Sequence, residues 1–523
     1  IRVNRNLTEK FSRQTNELVE DFSLGLERRF TVNYKIFDNT QLNYTKNIRS
    51  DMSEYREEVL SKLKVGSLTN LNETFNYTFG PQWISWFKPN FTYNANYTWN
   101  QPLNSVIDAA NLNLVKNTAI NLSISPTDII ETFYTPLSKR KSKPTSRTRS
   151  RGLSSFNAEE EKGKEKKEES DKKQEKPEIN SLFLERVYNE SKKIEPLTLT
   201  ITNNTNRLSN GVQGDVPLGY RLGFKDSHGI TSVSEVGLNT GNEDIKKSFT
   251  ARSGLRFNPQ TSLSISFNES ISSNINGYSI DIRSTSRDYI SFGNNLSKGF
   301  PFINWSFRVG GLEKIGFLKP YVTSVSLEHA FSGKQNLSWK FNEEGISPIN
   351  LFNISSFEDD FNESLQFARV TRSFTPLIGI STSFKNGVST NIRSNITHTL
   401  DEVATGLTYI SDNSILATIT YNFSKGIRFE LPFTDRNINL KNNMNISLNF
   451  DFSNKKEEGS KDKINFVEQN FSNSRKSILR VTYTLTDDVT GSLFYEYREN
   501  DTRLTGRRID RDFGINLNVA IRG

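Results

Sequence analysis

The sequence predicts an all-β protein: an antiparallel transmembrane β-barrel, of which this chain supplies roughly 16–20 strands of a larger wall. Three observations carry the prediction. With 34% hydrophobic residues and a mean hydropathy of −0.59 over 523 residues, the chain is too polar for a set of ordinary filled cores. With 11% aromatic residues, thirty-seven of them Phe, it is too aromatic for a disordered chain. Apolar and polar residues also alternate with period two almost from end to end, which gives a strand one apolar and one polar face. A sheet that shows one face to lipid and the other to water accommodates all three.

Residues 1–137 are expected to be barrel strands. Phe30, Val32, Tyr34 and Ile36 alternate with Thr31, Asn33 and Lys35, and Phe91, Tyr93, Ala95, Tyr97 and Trp99 with Thr92, Asn94, Asn96 and Thr98. Tyr97, Trp99, Tyr495 and Tyr497 suit aromatic girdles at a membrane interface. Residues 51–64 read as a short helical loop with Tyr55, Val59, Leu60 and Leu63 on one side. Residues 138–178 are nearly free of apolar side chains. Positions 139–176 hold fourteen Lys or Arg against eight Asp or Glu, so this segment reads as a solvated, disordered charged loop between strands. Residues 179–523 return to strands, among them Leu197-Leu199-Ile201, Leu263-Ile265-Phe267, Ala417-Ile419-Tyr421-Phe423, Ile446-Leu448-Phe450-Phe452 and Phe513-Ile515-Leu517-Val519. Residues 455–463 look like a second, shorter charged insertion. Without the long linker, about 480 residues at roughly 25–30 per strand and loop give the strand estimate.

Other classes are excluded or disfavoured. No run reaches the length of a helical membrane span. The chain opens at Ile1 without a leader pattern and is expected to be an internal or C-terminal piece of a longer protein. The absence of cysteine removes disulfide frameworks, thiol nucleophiles and cysteine metal sites. Net charge +8 suggests nucleic acid, but most of it sits in residues 139–176, so no nucleic-acid partner is expected. His228, His329 and His398 are far apart and lack a neighbouring carboxylate motif. No HExxH, GxSxG, phosphate loop or dinucleotide fingerprint is present. The chain is therefore expected to be no enzyme, with no catalytic residue, metal or cofactor. Its Asn-x-Ser/Thr triplets follow from a composition rich in those residues.

Residues 305–331, WSFRVGGLEKIGFLKPYVTSVSLEHAF, resemble the C-terminal region of the SprA/Sov family, the very large outer-membrane translocon of the type IX secretion system. Trp305, Gly311, Leu312, Glu313, Lys314, Leu327 and His329 occupy the places of a Trp strand, a Gly-Leu-Glu-Lys turn and a Leu-then-His strand. Thr375-Pro376-Leu377-Ile378-Gly379 is similar to the family's Ser-Pro-Leu-Ile-Gly strand, with Phe384 where Trp is common. Residues 427–433, with Pro432 and Phe433, resemble its penultimate hairpin. The resemblance covers residues 290–523 well and 20–130 loosely.

This resemblance implies a single-chain barrel of about 36 strands, linked to gliding motility in some members of a family found in Bacteroidota. It implies passage of folded cargo proteins with C-terminal sorting domains to the cell surface, with the motor elsewhere. Its implied partners are outer-membrane lipid, the cargo, a plug protein and a shuttle barrel. Other readings stay open: a TonB-dependent receptor, a lipopolysaccharide-assembly barrel, or a β-rich surface adhesin, which would show modules of about 100 residues. Short turns are expected on the periplasmic side and long loops outside, with the charged loop among them.

Overall fold

The computed structural model describes residues 1–12, 17–53, 66–101, 109–136, 181–230, 241–276, 281–292, 296, 298–341, 365–423, 427–430, 437–440, 442–486 and 489–519. Strand accounts for 76% of these residues and helix for 7%, so the class is all-β. In chain order the strands are β1 (Arg2–Ser12), β2 (Glu17–Phe37), β3 (Thr40–Asp51), β4 (Ser67–Phe79), β5 (Phe87–Asn100), β6 (Ala110–Ile124), β7 (Ile194–Val212), β8 (Asn242–Asn258), β9 (Thr261–Asn276), β10 (Asp281–Ser291) and β11 (Gly299–Pro301). They continue as β12 (Asn304–Gly310), β13 (Val322–Phe341), β14 (Leu365–Phe384), β15 (Val388–Val403), β16 (Gly406–Phe423), β17 (Ile427–Glu430), β18 (Asn437–Leu440), β19 (Met444–Ser460), β20 (Val467–Thr486), β21 (Val489–Thr502) and β22 (Gly506–Val519). The helices are α1 (Pro126–Phe133), α2 (Ser181–Ser191) and α3 (Leu218–Arg221).

Twenty strands form one antiparallel sheet, while β17 and β18 pair only with each other. Sequence neighbours are spatial neighbours, so each pairing closes through the connection next to it. One lane is interrupted: β10 and β12 both lie between β9 and β13, and the chain leaves the sheet between them. There β11 folds back onto β10. With β11 set aside and β10 and β12 counted as one lane, the twenty strands make eighteen lanes. Among the described residues β1 pairs only with β2 and β22 only with β21, which leaves two open edges. Register is pinned by the alternation, because a one-residue slip would move every apolar side chain to the wrong face.

Many strands are longer than a bilayer requires. β2 has 21 residues and β13, β14 and β20 have 20 each, against the 9–11 that cross a membrane. The expected charged insertion at 455–463 is mostly strand: β19 runs on to Ser460, with Asp412 opposite Lys455 and Ser411 opposite Lys456. Charge is tolerated there because Lys456 is paired with Glu458 at 2.6 Å and with Glu468 at 3.4 Å. The turn that follows is held by Asp462, which accepts from the Ile464 and Asn465 amides at 3.0 and 2.8 Å. Those bonds keep its carboxyl well below the usual range. The helical loop expected at 51–64 and the charged loop at 138–178 lie outside the described residues, apart from Asp51–Ser53.

The two ends of the strands are told apart by their connections. At the Asn39 end lie the Asp38–Asn39 turn and the connections 125–193 and 424–443; at the opposite end lie 213–241 and 342–364. Long connections at both ends remove the expected rule that loop length tells the sides apart. Flanking residues 137–180, α1 and α2 pack together at the Asn39 end. Ser125 caps α1 ahead of Pro126, Tyr134 donates to Glu185 at 2.7 Å, and Tyr188 to Glu131 at 2.9 Å.

Candidate functional site

The register carries one face across the whole sheet. Partners Val32, Tyr44, Phe75, Ala95 and Lys116 follow one another from β2 to β6. Farther on, Ile392 pairs with Ala417, Ala417 with Phe450, Leu448 with Leu479, Leu479 with Tyr495 and Tyr495 with Phe513. Since directly opposed residues point the same way, all these side chains share one face. That face is exposed where a soluble sheet would bury it: Phe30 is 55%, Ile378 56% and Ile515 70% accessible. An exposed apolar surface that runs through so many strands marks a surface made to be covered.

The opposite face is lined by Asn, Ser and Thr. Asn33, Asn43, Asn76, Asn94, Asn117 and Asn204 form one row across six adjacent strands, β2 to β7. Within it Asn94 donates to Asn76 at 2.5 Å; two rows away on the same face, Thr200 donates to Asn121 at 2.9 Å. Some of the charge on this face is paired, as in Arg393–Glu328 at 3.1 Å and Arg369–Asp401 at 2.7 Å. Such a face presents hydrogen-bonding groups rather than a continuous apolar surface.

Most of the residues singled out from the sequence come together in two structural devices. Gly311 takes a left-handed φ of 79°, which Gly adopts without strain, and starts the 3-10 turn Leu312–Lys314 between β12 and β13. Glu313 in that turn accepts from the Val325 amide at 3.3 Å, beside a register shift in β13. The second device is a bulge in β14: residues 375–377 stand opposite Asn395 alone, between the pairs Phe374–Ile396 and Ile378–Ser394. Pro376 has no amide to lose there. The bulge takes the Leu377 carbonyl out of the ladder, and the His329 ring donates to it through Nδ1 at 2.7 Å. A Cβ on Gly379 would lie 3.1 Å from Pro376 and 3.2 Å from Glu328, so the backbones close up around it. Trp305 stacks on Phe331 at 4.2 Å, beside His329 and Phe374. Leu327 is exposed on the same face. Pro432 and Phe433 lie outside the described residues, and the adjoining β17 stands apart from the sheet.

The sequence reading missed a third feature, a strap formed by residues 213–230 between β7 and β8. It lies on the apolar-phase face of β3–β7, at the end opposite Asn39. Tyr97 is fully buried beneath it, in a cluster with Leu71, Leu112, Leu114, Val212, Val216 and Tyr220, with Trp99 packed alongside. Tyr97 and Trp99 are thus no girdle residues, because the strap covers them; Tyr495, by contrast, is exposed. Two charge clusters fasten the strap. Glu73, whose side chain is fully buried, accepts from Arg221 Nε at 2.6 Å and again from its Nη2, from Tyr44 at 2.9 Å, and pairs with Lys46 at 3.2 Å. Asp226 bridges Arg207 at 2.8 Å and Lys116 at 3.1 Å, and Arg207 also meets Glu243 at 2.6 Å. Hydrogen bonding from Arg207, then Lys116, holds the Asp226 carboxyl below its ordinary range against the cost of partial burial. Burial alone pulls the Arg221 guanidinium down, but bonding to Glu73 outweighs it and the group stays charged. Tyr93 donates to the Leu222 carbonyl at 2.8 Å, and Phe224 stacks on Tyr93. A signal was present in the sequence: Glu73 falls in the apolar phase of Leu71 and Phe75, as Lys116 follows Leu112 and Leu114.

Neither of the other histidines joins a cluster of acidic ligands. His228 Nδ1 accepts from the Ile230 amide, and His398 meets Tyr409 Oη at 2.7 Å. Among the described residues no three His, Cys, Asp or Glu side chains group to hold a metal ion. No protein-family model matches this chain, and no curated protein matches it.

Proposed function

We propose that this chain is part of the wall of an outer-membrane, protein-conducting channel of the SprA/Sov kind, the translocon of type IX secretion. The observation that supports this reading is the single face, apolar and exposed, that persists across the register while the other face stays Asn, Ser and Thr. In a bilayer each backbone amide and carbonyl must be paired within the wall, which helices and closed barrels alone achieve. The two open edges then call for further strands to complete a closed wall wider than the eighteen lanes. The polar lining suits a conduit for folded cargo with C-terminal sorting domains, and the chain acts as passage rather than enzyme. A plug protein and a shuttle barrel are the further partners this reading brings with it.

Depleting the native protein in its host tests the proposal. Cargo with C-terminal sorting domains should accumulate in the periplasm, and the detergent-extracted protein should co-purify with a second, small barrel. Normal secretion after depletion would overturn the translocon reading and leave a receptor or assembly barrel in its place.

A further inference from the structure

The apolar stretch on the lipid-phase face lies off-centre in the strands. In lane after lane it begins at the Asn39 end and stops part-way: Ile36, Tyr34, Val32 and Phe30 are followed by Arg28 in β2, and Ile446, Leu448, Phe450 and Phe452 by Asn454 and Lys456 in β19. Leu479 gives way to Arg475 in β20 and Phe513 to Arg511 in β22. Four alternate residues cover about 23 Å of strand at about 3.3 Å per residue, a height of about 16–19 Å at a tilt of about 35–45°, within the apolar band of about 25 Å in outer-membrane barrels. Beyond it the same face turns charged or mixed: Asn454, Lys456 and Glu458 follow in β19, and Leu26 and Leu24 return after Arg28 in β2.

Two further observations agree. The strap covers the apolar-phase residues Leu71, Tyr97, Leu112 and Leu114 at the end opposite Asn39, with Phe224 reaching Tyr93, and so keeps lipid from them. Bare aromatic side chains crowd the connections at the Asn39 end: Trp83 is 83% and Phe317 73% exposed, with Phe37, Phe133 and Tyr321 also exposed. Amphipathic and aromatic rings favour the headgroup region.

Resting on the membrane reading above, we propose that acyl chains contact only the half of the wall next to the Asn39 end. The other half stands out of the bilayer as a water-exposed collar, and the strap seals its lipid-phase face over β3–β7. A Lys or Arg on the lipid face costs about 2–4 kcal/mol at mid-bilayer, so Arg28 in β2, Lys456 in β19, Arg475 in β20 and Arg511 in β22 set the rim of the hydrocarbon on those strands.

The chain has no cysteine, so a single-cysteine variant of it carries one label within these 523 residues. Val32→Cys, Phe450→Cys and Leu479→Cys sample the band; Lys456→Cys and Arg475→Cys sample the collar on the same face. Each is labelled with an environment-sensitive fluorophore in phosphatidylcholine vesicles, with or without bromine on the acyl chains, and then exposed to a water-soluble quencher. Band labels should lose fluorescence to brominated chains and resist the aqueous quencher, and collar labels should do the reverse. Equal quenching of band and collar by brominated chains would overturn the off-centre band and leave the barrel standing. Aqueous quenching at every site, with no bromine effect, would overturn the membrane reading itself.

Discussion

At position 73 a carboxylate sits where the alternation calls for an apolar side chain. Its burial is tolerable only because Arg221, Tyr44 and Lys46 all converge on it. Replacing Arg221 with Ala strands a buried charge, and the expected loss is on the order of 3 kcal/mol. At about 1.4 kcal/mol per tenfold, the strap should then be cut by protease between residues 213 and 230 on the order of a hundredfold faster; an unchanged rate would show that the pair does not fasten it. Asp226 adds a pH dependence of known sign. Its folded pKa lies below the ordinary value near 4. The stabilisation it gives is therefore complete above that value and is lost as pH falls through the lower, folded one. Cleavage within the strap should accelerate below about pH 4. Asp226→Asn should cut faster at neutral pH and respond less to acid.

Among elements, the alternation was the legible part. Period-two patterning located the strands at 30–36, 91–99, 417–423, 446–452 and 513–519, because a half-exposed strand writes its face directly into the sequence. What stayed hidden depends on tertiary packing. Tyr97 and Trp99 read as girdle aromatics because nothing local says that residues 213–230, more than a hundred positions away, fold over them. The Pro376 bulge and its partner His329 were marked as motif residues, yet their link is visible only when β13 and β14 are side by side. The charged residues 455–460 read as a loop because charge usually ends a strand; β19 continues because its ladders to β16 and β20 run on and Lys456 is paired with Glu458 and Glu468. The facedness itself is testable by a matched pair of neighbours. Ile419→Arg places a charge on the apolar face and is expected to cost about 2–4 kcal/mol of folding in lipid. Thr418→Arg, one residue away on the polar face, is expected to cost within about 0.5 kcal/mol. Urea unfolding in vesicles reads both; equal costs would contradict the assignment of faces.

For the whole molecule, strand pairing supplies the order that a central core supplies elsewhere. Among the described residues two local clusters gather buried apolar side chains, one under the strap and one around Leu296, where the chain leaves the sheet between β10 and β12. The sheet is otherwise one layer, apolar on one side and hydrated on the other, with unpaired edges at β1 and β22. A single layer with an exposed apolar face is unstable in water unless something covers it, and a bilayer is the cover that fits its band. The most direct measurement is fractionation of cells that make the native protein, with membranes washed in high salt and in alkaline carbonate before detergent extraction and gel analysis with and without heating. The account predicts a protein that stays in the outer membrane through both washes, leaves it only with detergent, and shifts its mobility on heating. A protein found in the soluble fraction, or released by salt alone, would contradict it.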